Sequence, residues 1–210
     1  MIRIAKFFGK ATLALALLCV GRSASAQLLP NSYFNVDWQV NVPLGSTIAD
    51  KASGWGMNFE GGYYVTPDVA VGGFINFQTN LQAVPRRTIS LDSGASALTT
   101  AQEHAVFQLP FGVTGRYCWY PDSVLQPYVG LKLGAEYAKL SSYYYVVQRY
   151  TETWGFYLSP ELGVSIFPRP EYRLGFHLAL YYSYATNSGS VLGYSVNGLS
   201  NFGIRVGLSF

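Results

Sequence analysis

The chain has few charged residues, little cysteine and no long apolar run beyond residue 26. Only 12% of its 210 residues are Asp, Glu, Lys or Arg, which is a thin polar coat for a soluble globular protein. The two cysteines are Cys19 and Cys118. If the first 26 residues are removed, one cysteine remains, so a fold held together by intramolecular disulfides is excluded. The chain also has no segment of about 20 apolar residues, the length that a membrane-spanning helix needs.

The first 26 residues have the layout of a secretory signal peptide. A basic start, an apolar middle and a small-residue end follow one another at Arg3, Lys6 and Lys10, then 11–20, then 23–26. Such a segment directs export and is then removed. We predict cleavage after Ala26, which leaves residues 27–210 as the mature chain. A lipoprotein anchored through Cys19 is the alternative, although Leu18 stands where a small residue is usual.

Removing this segment changes the charge of the chain. Residues 1–26 contain four of the 14 basic residues and none of the 11 acidic ones, so the mature chain has ten bases and a formal charge of −1. The pI of about 8.8 therefore belongs to the precursor. A chain near neutrality lacks the excess of positive charge that attracts phosphates, and we expect no nucleic-acid partner.

Strict alternation of apolar and polar residues runs through the mature chain. In residues 34–42 every even position is apolar and every odd position is polar. Successive side chains of a strand point to opposite faces, so this segment has one apolar and one polar face. The same period recurs, with Phe74 as an exception, at 55–63, 69–77, 107–117, 129–137, 154–166, 173–182 and 201–210. We predict eight strands of about ten residues, the length at which a tilted strand crosses a bilayer.

The connections between these segments alternate in length. Three are tight turns and four are longer, the turns at 66–68, 120–122 and 168–170 and the longer links at 43–53, 79–104, 139–152 and 185–199. Short periplasmic turns alternating with longer external loops are typical of outer-membrane barrels, which must close because lipid cannot pair an open backbone edge. We therefore expect an all-β fold, an eight-stranded antiparallel up-and-down transmembrane β-barrel over residues 27–210 with both termini in the periplasm.

Aromatic residues on the apolar face lie near both ends of the expected strands. Such residues form two belts at the levels of the lipid head groups in membrane barrels. The external belt is expected at Trp55, Tyr137, Trp154 and Tyr184, and the periplasmic belt at Tyr63, Tyr117, Tyr172 and Phe210. A soluble barrel with its apolar face inside is the alternative, and the sparse charge of the polar face disfavours it.

Three short segments resemble parts of small bacterial outer-membrane β-barrels. They are Leu-Pro-Phe-Gly-Val at 109–113, Pro-Tyr-Val-Gly-Leu-Lys-Leu-Gly at 127–134 and Gly-Ile-Arg-Val-Gly-Leu-Ser-Phe at 203–210. The family in question includes the OmpA transmembrane domain, OmpX and OmpW. The resemblance implies a place in the outer membrane of a Gram-negative bacterium, among lipid and lipopolysaccharide. It also implies that the barrel-insertion machinery recognises Val206, Leu208 and Phe210.

The inward-facing positions collect eight charged residues of both signs. The acids are Asp37, Glu60, Glu136 and Glu161, and the bases are Arg116, Lys132, Arg173 and Arg205. An unpaired charge in a dry interior costs several kcal/mol, so we expect pairing, and an eight-stranded barrel is only just wide enough for its side chains. We predict a lumen plugged by ion pairs around Glu60, Lys132, Glu161 and Arg205, with His177 packed in the same layer. A narrow ion path is the alternative.

The longer loops indicate a contact surface outside the cell. The connection 79–104 contains Arg86, Arg87 and many Gly, Ser and Thr residues, which indicate mobility. Tyrosines at 143–145 also suit an interface that binds an extracellular ligand. We predict a structural or surface-interaction protein, with a narrow channel for ions or small apolar solutes as the runner-up.

A barrel enzyme that modifies lipid A is a third alternative. It would need a nucleophile activated by histidine and oriented by a carboxylate near the outer rim. His104 follows Glu103, and Ser93 or Ser96 could approach it, whereas His177 lies too deep. The sequence contains no Cys/His cluster for zinc and no phosphate-binding loop, so we expect no catalytic residue, metal or cofactor.

Overall fold

The structure, a computed structural model, describes residues 31–46, 48–91, 96–121, 123–144, 147–168, 174–191 and 194–210, without the side chains of 87, 89–91, 96–98 and 147. The predicted signal peptide and its cleavage site lie outside the described residues and stay a prediction. In the described part of the chain, no helix is long and apolar enough to cross a membrane.

Eight antiparallel strands build the fold. They are β1 (Ser32–Leu44), β2 (Trp55–Tyr64), β3 (Val69–Leu91), β4 (Ser96–Cys118), β5 (Leu125–Tyr144), β6 (Val147–Ile166), β7 (Gly175–Val191) and β8 (Tyr194–Ser209). Each strand pairs with the next one along the chain, and β8 pairs with β1, so the sheet closes. The predicted fold class, an eight-stranded up-and-down barrel, is confirmed.

The first and last strands close the barrel along ten paired positions, from Asn35 opposite Ser209 to Leu44 opposite Ser200. Beyond the first of these pairs, Phe34 donates a hydrogen bond to the carbonyl of Phe210 at 3.0 Å and accepts one from its amide at 2.8 Å. The backbone of the last residue is therefore held in the wall, which leaves no free edge at this end of the seam.

Burial alternates along the strands as the sequence pattern predicts. In β1, Asn35, Asp37 and Gln39 face the lumen and are buried, whereas Trp38 is 55% exposed on the outer wall. β7 alternates without interruption from Gly175 to Ser188. The apolar face is therefore outside and the polar face inside, which excludes the soluble alternative, because a soluble barrel buries its apolar face.

Seven of the eight strands are longer than the predicted ten residues, and the prediction of a long loose loop over 79–104 is wrong. β3 and β4 each have 23 residues and form a hairpin that ends at Leu91 and Ser96. The other connections predicted at 139–152 and 185–199 are also mostly strand. Polar residues such as Thr88 and Thr99 obscured the alternation, yet their hydroxyl groups hydrogen-bond across the hairpin at 2.7 Å.

Six strands continue beyond the closed wall, β3 to β6 as one sheet and β7 with β8 as a hairpin. β2 pairs with β3 only as far as Trp55 opposite Thr79, and β6 pairs with β7 only as far as Tyr157 opposite Ala185. Beyond these points β3, β4, β5 and β6 still pair with one another. We call this part the projecting sheet, defined as residues 80–91, 96–106, 140–144 and 147–151.

Candidate functional site: the barrel lumen

Five charged side chains from five strands meet inside the barrel. The carboxylate of Glu60 lies 2.6 Å from Arg116 and 2.7 Å from Lys132. Lys132 also lies 2.9 Å from Glu161, which in turn pairs with Arg205. All five are buried, so neighbouring charges replace the water that each has lost. We call this series, from Arg116 to Arg205, the ion-pair chain.

Tyrosine rings surround the ion-pair chain. The Arg116 guanidinium lies between the rings of Tyr33 and Tyr128, 3.8 and 4.2 Å from their centroids, and that of Arg205 lies 3.9 Å from the ring of Tyr181. Two tyrosine hydroxyl groups donate hydrogen bonds to the acids of the ion-pair chain. Tyr33 donates to Glu60 at 2.8 Å, and Tyr128 donates to Glu161. Cation–π contact and hydrogen bonding therefore hold the charged groups in one arrangement.

Asp37 and His177 form a branch beside the ion-pair chain. His177 Nδ1 lies 2.6 Å from Asp37 Oδ1, and its Nε2 lies 2.6 Å from the Tyr128 hydroxyl. Asn58 donates to the other oxygen of Asp37 at 2.8 Å. Asp37 thus has a histidine as its partner, and both ring nitrogens of His177 are used for hydrogen bonding.

Besides Asp37, two of the eight predicted lumen charges are not part of the ion-pair chain. Arg173 lies outside the described residues. Glu136 is fully buried, but no described residue donates a hydrogen bond to either of its carboxylate oxygens. The alternation of residues along β5 predicts that Glu136 faces the lumen, and the residue is buried there. Glu136 lies four residues beyond Lys132 on β5, about 13 Å farther along the strand. Glu136 is therefore separated from the ion-pair chain by its position along the strand, and not by the face of β5 on which it lies.

A network of side-chain amides lies next to the ion-pair chain, and the sequence analysis missed it. Arg205 donates to Gln39 at 3.2 Å, Gln39 to Gln78 at 2.9 Å and Gln78 to Gln108 at 2.9 Å. Asn201, Asn41 and Asn80 continue the series through bonds of 2.9 to 3.1 Å. The sequence shows these residues on polar faces, but only strand register places their amides together. We call this set the amide network.

An apolar cluster closes the external half of the lumen. Ile48 and Ala49, from the connection between β1 and β2, are buried there against residues of the wall, among them Val106, Ala138, Leu140, Tyr157, Val191, Val196 and Leu199. Gln82 accepts a hydrogen bond from the amide of Asp50 at 2.9 Å, which helps to hold this connection in place. We call the cluster the apolar cap. The sequence predicted 43–53 only as a longer link and did not indicate that its residues enter the lumen.

The spaces in the lumen are small. A gap of about 10 Å³ separates the apolar cap from the amide network near Ala49, Asn80 and Asn201. That volume is at the lower limit for a single water molecule. A larger recess of about 300 Å³ lies at the periplasmic mouth, where Tyr33, Tyr64 and Arg116 line it.

The outer wall carries the aromatic residues of the predicted belts. Near the external level, Tyr137 and Trp154 are paired across β5 and β6 with ring centroids 5.3 Å apart, and Trp55 and Tyr184 are also exposed. Near the periplasmic level the structure places the exposed side chains of Tyr63 and Tyr117. Tyr172 lies outside the described residues. Val206 and Leu208 face outward on β8 beside them, and Phe210 follows at its end.

The residues of the enzyme alternative do not form a triad. His104 Nδ1 lies 2.8 Å from the Ser142 hydroxyl, and both residues are buried. Glu103 is exposed on the opposite face of β4, so it cannot orient the imidazole. Ser93 lies outside the described residues, and the side chain of Ser96 is not described. Within the described ranges, no group of three metal-ligating side chains occurs.

Comparison with known proteins agrees with this architecture. The family model described as outer membrane protein beta-barrel domain matches residues 11–210. Neisserial surface protein A is 15% identical with a TM-score of 0.58, over 85% of this chain and 96% of that chain, which shows a common fold.

Two further solved structures cover 85% of this chain at 14% identity. They are OprG from Pseudomonas aeruginosa, with 93% of that chain covered and a TM-score of 0.46, and Ail from Yersinia pestis, with 96% covered and a TM-score of 0.43. A search of curated protein sequences finds no significant match.

Proposed function

Since this chain belongs to the outer membrane protein beta-barrel domain family, we propose that it is a surface-interaction barrel with a closed lumen. The observation that carries the proposal is the projecting sheet, which continues four strands past the external aromatic level. A barrel whose only task was to span the membrane would not need this extension. The wall below it would then serve as a rigid anchor.

The lateral edge of β3 is the contact surface of the projecting sheet. No described strand pairs with β3 beyond Thr79, whereas the outer edge of β6 is covered by β7, which bonds to Phe156, Thr153 and Thr151. An exposed strand edge presents unpaired N–H and C=O groups, onto which an extended peptide can add as a further strand. Tyr143 and Tyr150 are exposed on β5 and β6 and add aromatic surface to the same sheet. The proposed partner is therefore an extended segment of an extracellular protein.

The remaining partners follow from the membrane setting. The exposed aromatic belts would contact lipid and lipopolysaccharide head groups, and Val206, Leu208 and Phe210 would be read by the insertion machinery. Export through the segment 1–26 belongs to the same proposal.

Shortening the projecting sheet tests the contact surface. We expect that replacing residues 85–101 by Asn-Gly, between the paired residues Val84 and Gln102, leaves a folded barrel but abolishes adhesion. Bacteria that produce the protein would be measured for attachment to cultured epithelial cells. The matched control replaces 66–68 by Asn-Gly between Val65 and Val69, at the opposite end of the barrel, which leaves the projecting sheet intact. Equal attachment by both variants would contradict the proposal.

Conductance separates a closed barrel from the second candidate, a narrow channel favoured by the recess that reaches Arg116. We expect the mature protein to be silent in a planar bilayer. Glu60→Gln should leak, because Arg116 and Lys132 then lose the carboxylate between them, repel one another and attract water. Arg205→Gln should also leak, because Glu161 then loses one of its two bases and attracts water. Steady conductance by the unmodified protein would contradict the closed-lumen proposal and favour the narrow channel.

A further inference from the structure

Glu136 is an exception among the acids of the lumen. Glu60 and Glu161 each contact two bases, and Asp37 contacts His177. Glu136 is equally buried, yet neither of its carboxylate oxygens has a hydrogen-bond partner among the described residues. An ionised carboxylate taken out of water without a partner costs several kcal/mol. A stable barrel therefore has to compensate this charge in some other way.

None of the described residues supplies a compensating cation at this level. The residues directly opposite Glu136 are Pro110 on β4 and Gly155 on β6, neither of which has a polar side chain. The nearest inward base on the same strand is Lys132, whose amine is already shared by Glu60 and Glu161.

Asn187 places an oxygen atom beside Glu136. It lies where β7 carries an extra residue relative to β8, between Ala185 and Ser188. Its Nδ2 donates to the carbonyl of Glu136 at 3.2 Å and to two oxygens of Thr153 at 3.1 Å. These bonds identify the nitrogen, so the other atom of the amide is the oxygen. That Oδ1 is buried, has no partner, and lies over Gly155, opposite Glu136.

Asn76 lies on the other side of the same carboxylate. Ile75 pairs with Phe111, so the following residue, Asn76, stands opposite Pro110, the neighbour of Glu136 on β4. The Asn76 side chain is buried, and neither of its polar atoms has a hydrogen-bond partner. Two asparagines without a described side-chain partner for their oxygens therefore lie two strands away from Glu136, one in each direction around the wall. A β-bulge such as that at Asn187 often lies next to a functional site.

We propose that Glu136 and Asn187 bind a compact cation inside the barrel, with Asn76 as a further ligand. Carboxylate and amide oxygens are ligands for hard cations, so Na⁺ or a similar metal ion fits the donor set. A proton shared between Glu136 and Asn187 supplies the same positive charge at the same atoms. Because Asn187 also joins β5, β6 and β7 where the β6–β7 ladder stops, the cation stabilises this part of the wall.

The test compares the unmodified mature protein with Glu136→Gln, which keeps the size of the side chain and removes the charge. Unfolding constants would be measured in lipid vesicles while Na⁺ replaces choline at constant ionic strength, and then across pH. Glu103→Gln, an exposed acid on β4, is the control.

Two results support the site and identify the cation. If the cation is a metal ion, the unfolding constant falls about tenfold for each tenfold rise in Na⁺ above the dissociation constant, and Glu136→Gln loses this response. If it is a proton, the unmodified protein loses stability relative to Glu136→Gln as pH rises, by up to about tenfold per pH unit. A ratio of the two unfolding constants that stays the same at every Na⁺ concentration and every pH overturns the proposal. The proposal is also overturned if the unfolding constant of the unmodified protein changes with neither Na⁺ concentration nor pH.

Discussion

Glu161→Gln is expected to lower the free energy of unfolding by about 3–5 kcal/mol, the usual loss when one partner of a buried ion pair is removed. Glu161 contacts both Lys132 and Arg205 and accepts a hydrogen bond from Tyr128. Glutamine has the same shape but no charge, so Arg205 loses its only described acidic partner and Lys132 keeps only Glu60. The measurement is urea unfolding in vesicles, followed by tryptophan fluorescence.

The control for this variant is an ion pair on the outside of the barrel. Lys139 and Glu152 are 3.8 Å apart and partly exposed, so water already solvates both groups. Lys139→Gln should change the unfolding free energy by no more than about 1 kcal/mol. Similar losses for Glu161→Gln and Lys139→Gln would show that burial of the ion-pair chain contributes nothing special to stability.

Gly112→Ala is expected to destabilise the barrel by about 1–3 kcal/mol or more, because it forces two strands apart. Gly112 on β4 stands directly opposite Gly134 on β5. A Cβ atom at position 112 would overlap the carbonyl oxygen of Leu133 and lie 2.6 Å from the Cα of Gly134. Backbone atoms cannot rotate away as a side chain can. The fraction of folded protein on an unheated gel and the urea midpoint would both fall.

Gly115→Ala is the matched control on the same strand. Gly115 faces the outer wall, and an added Cβ would meet nothing within 4 Å. We expect a change within about 0.5 kcal/mol, as for substitutions that disturb no contact. If both alanine variants were equally stable, the close approach of β4 and β5 at Gly112 would not be needed for closure.

The sequence predicted the faces of the strands well and the partners of the lumen residues less well. Alternation placed Lys132 and Glu136 on the same inward face, and both are buried there. Counting residues along a strand gives only an approximate height, so the pairing of Arg116 with Glu60, outside the predicted layer of four charges, was not foreseen. The amide network was missed for a related reason, since Gln39 and Gln78 come from strands that are not neighbours and meet across the lumen.

The apolar cap and the projecting sheet depended on still longer-range information. Ile48 lies in a connection, and nothing near it in sequence indicates that it enters the lumen against Leu140 and Val196. In residues 80–91, polar side chains obscured the period of two, while backbone pairing with β4 and the Thr88–Thr99 contact hold the strand.

By itself, the sequence determined that this chain forms eight strands with an apolar outer face and a polar inner one. That result is local, because a period of two follows from the geometry of each extended backbone. Only the tertiary structure decided the heights of the other lumen charges, with Arg116 beside Glu60 and Glu136 without a described base. Those heights depend on strand tilt and stagger, which closure of the whole barrel imposes on all eight strands together.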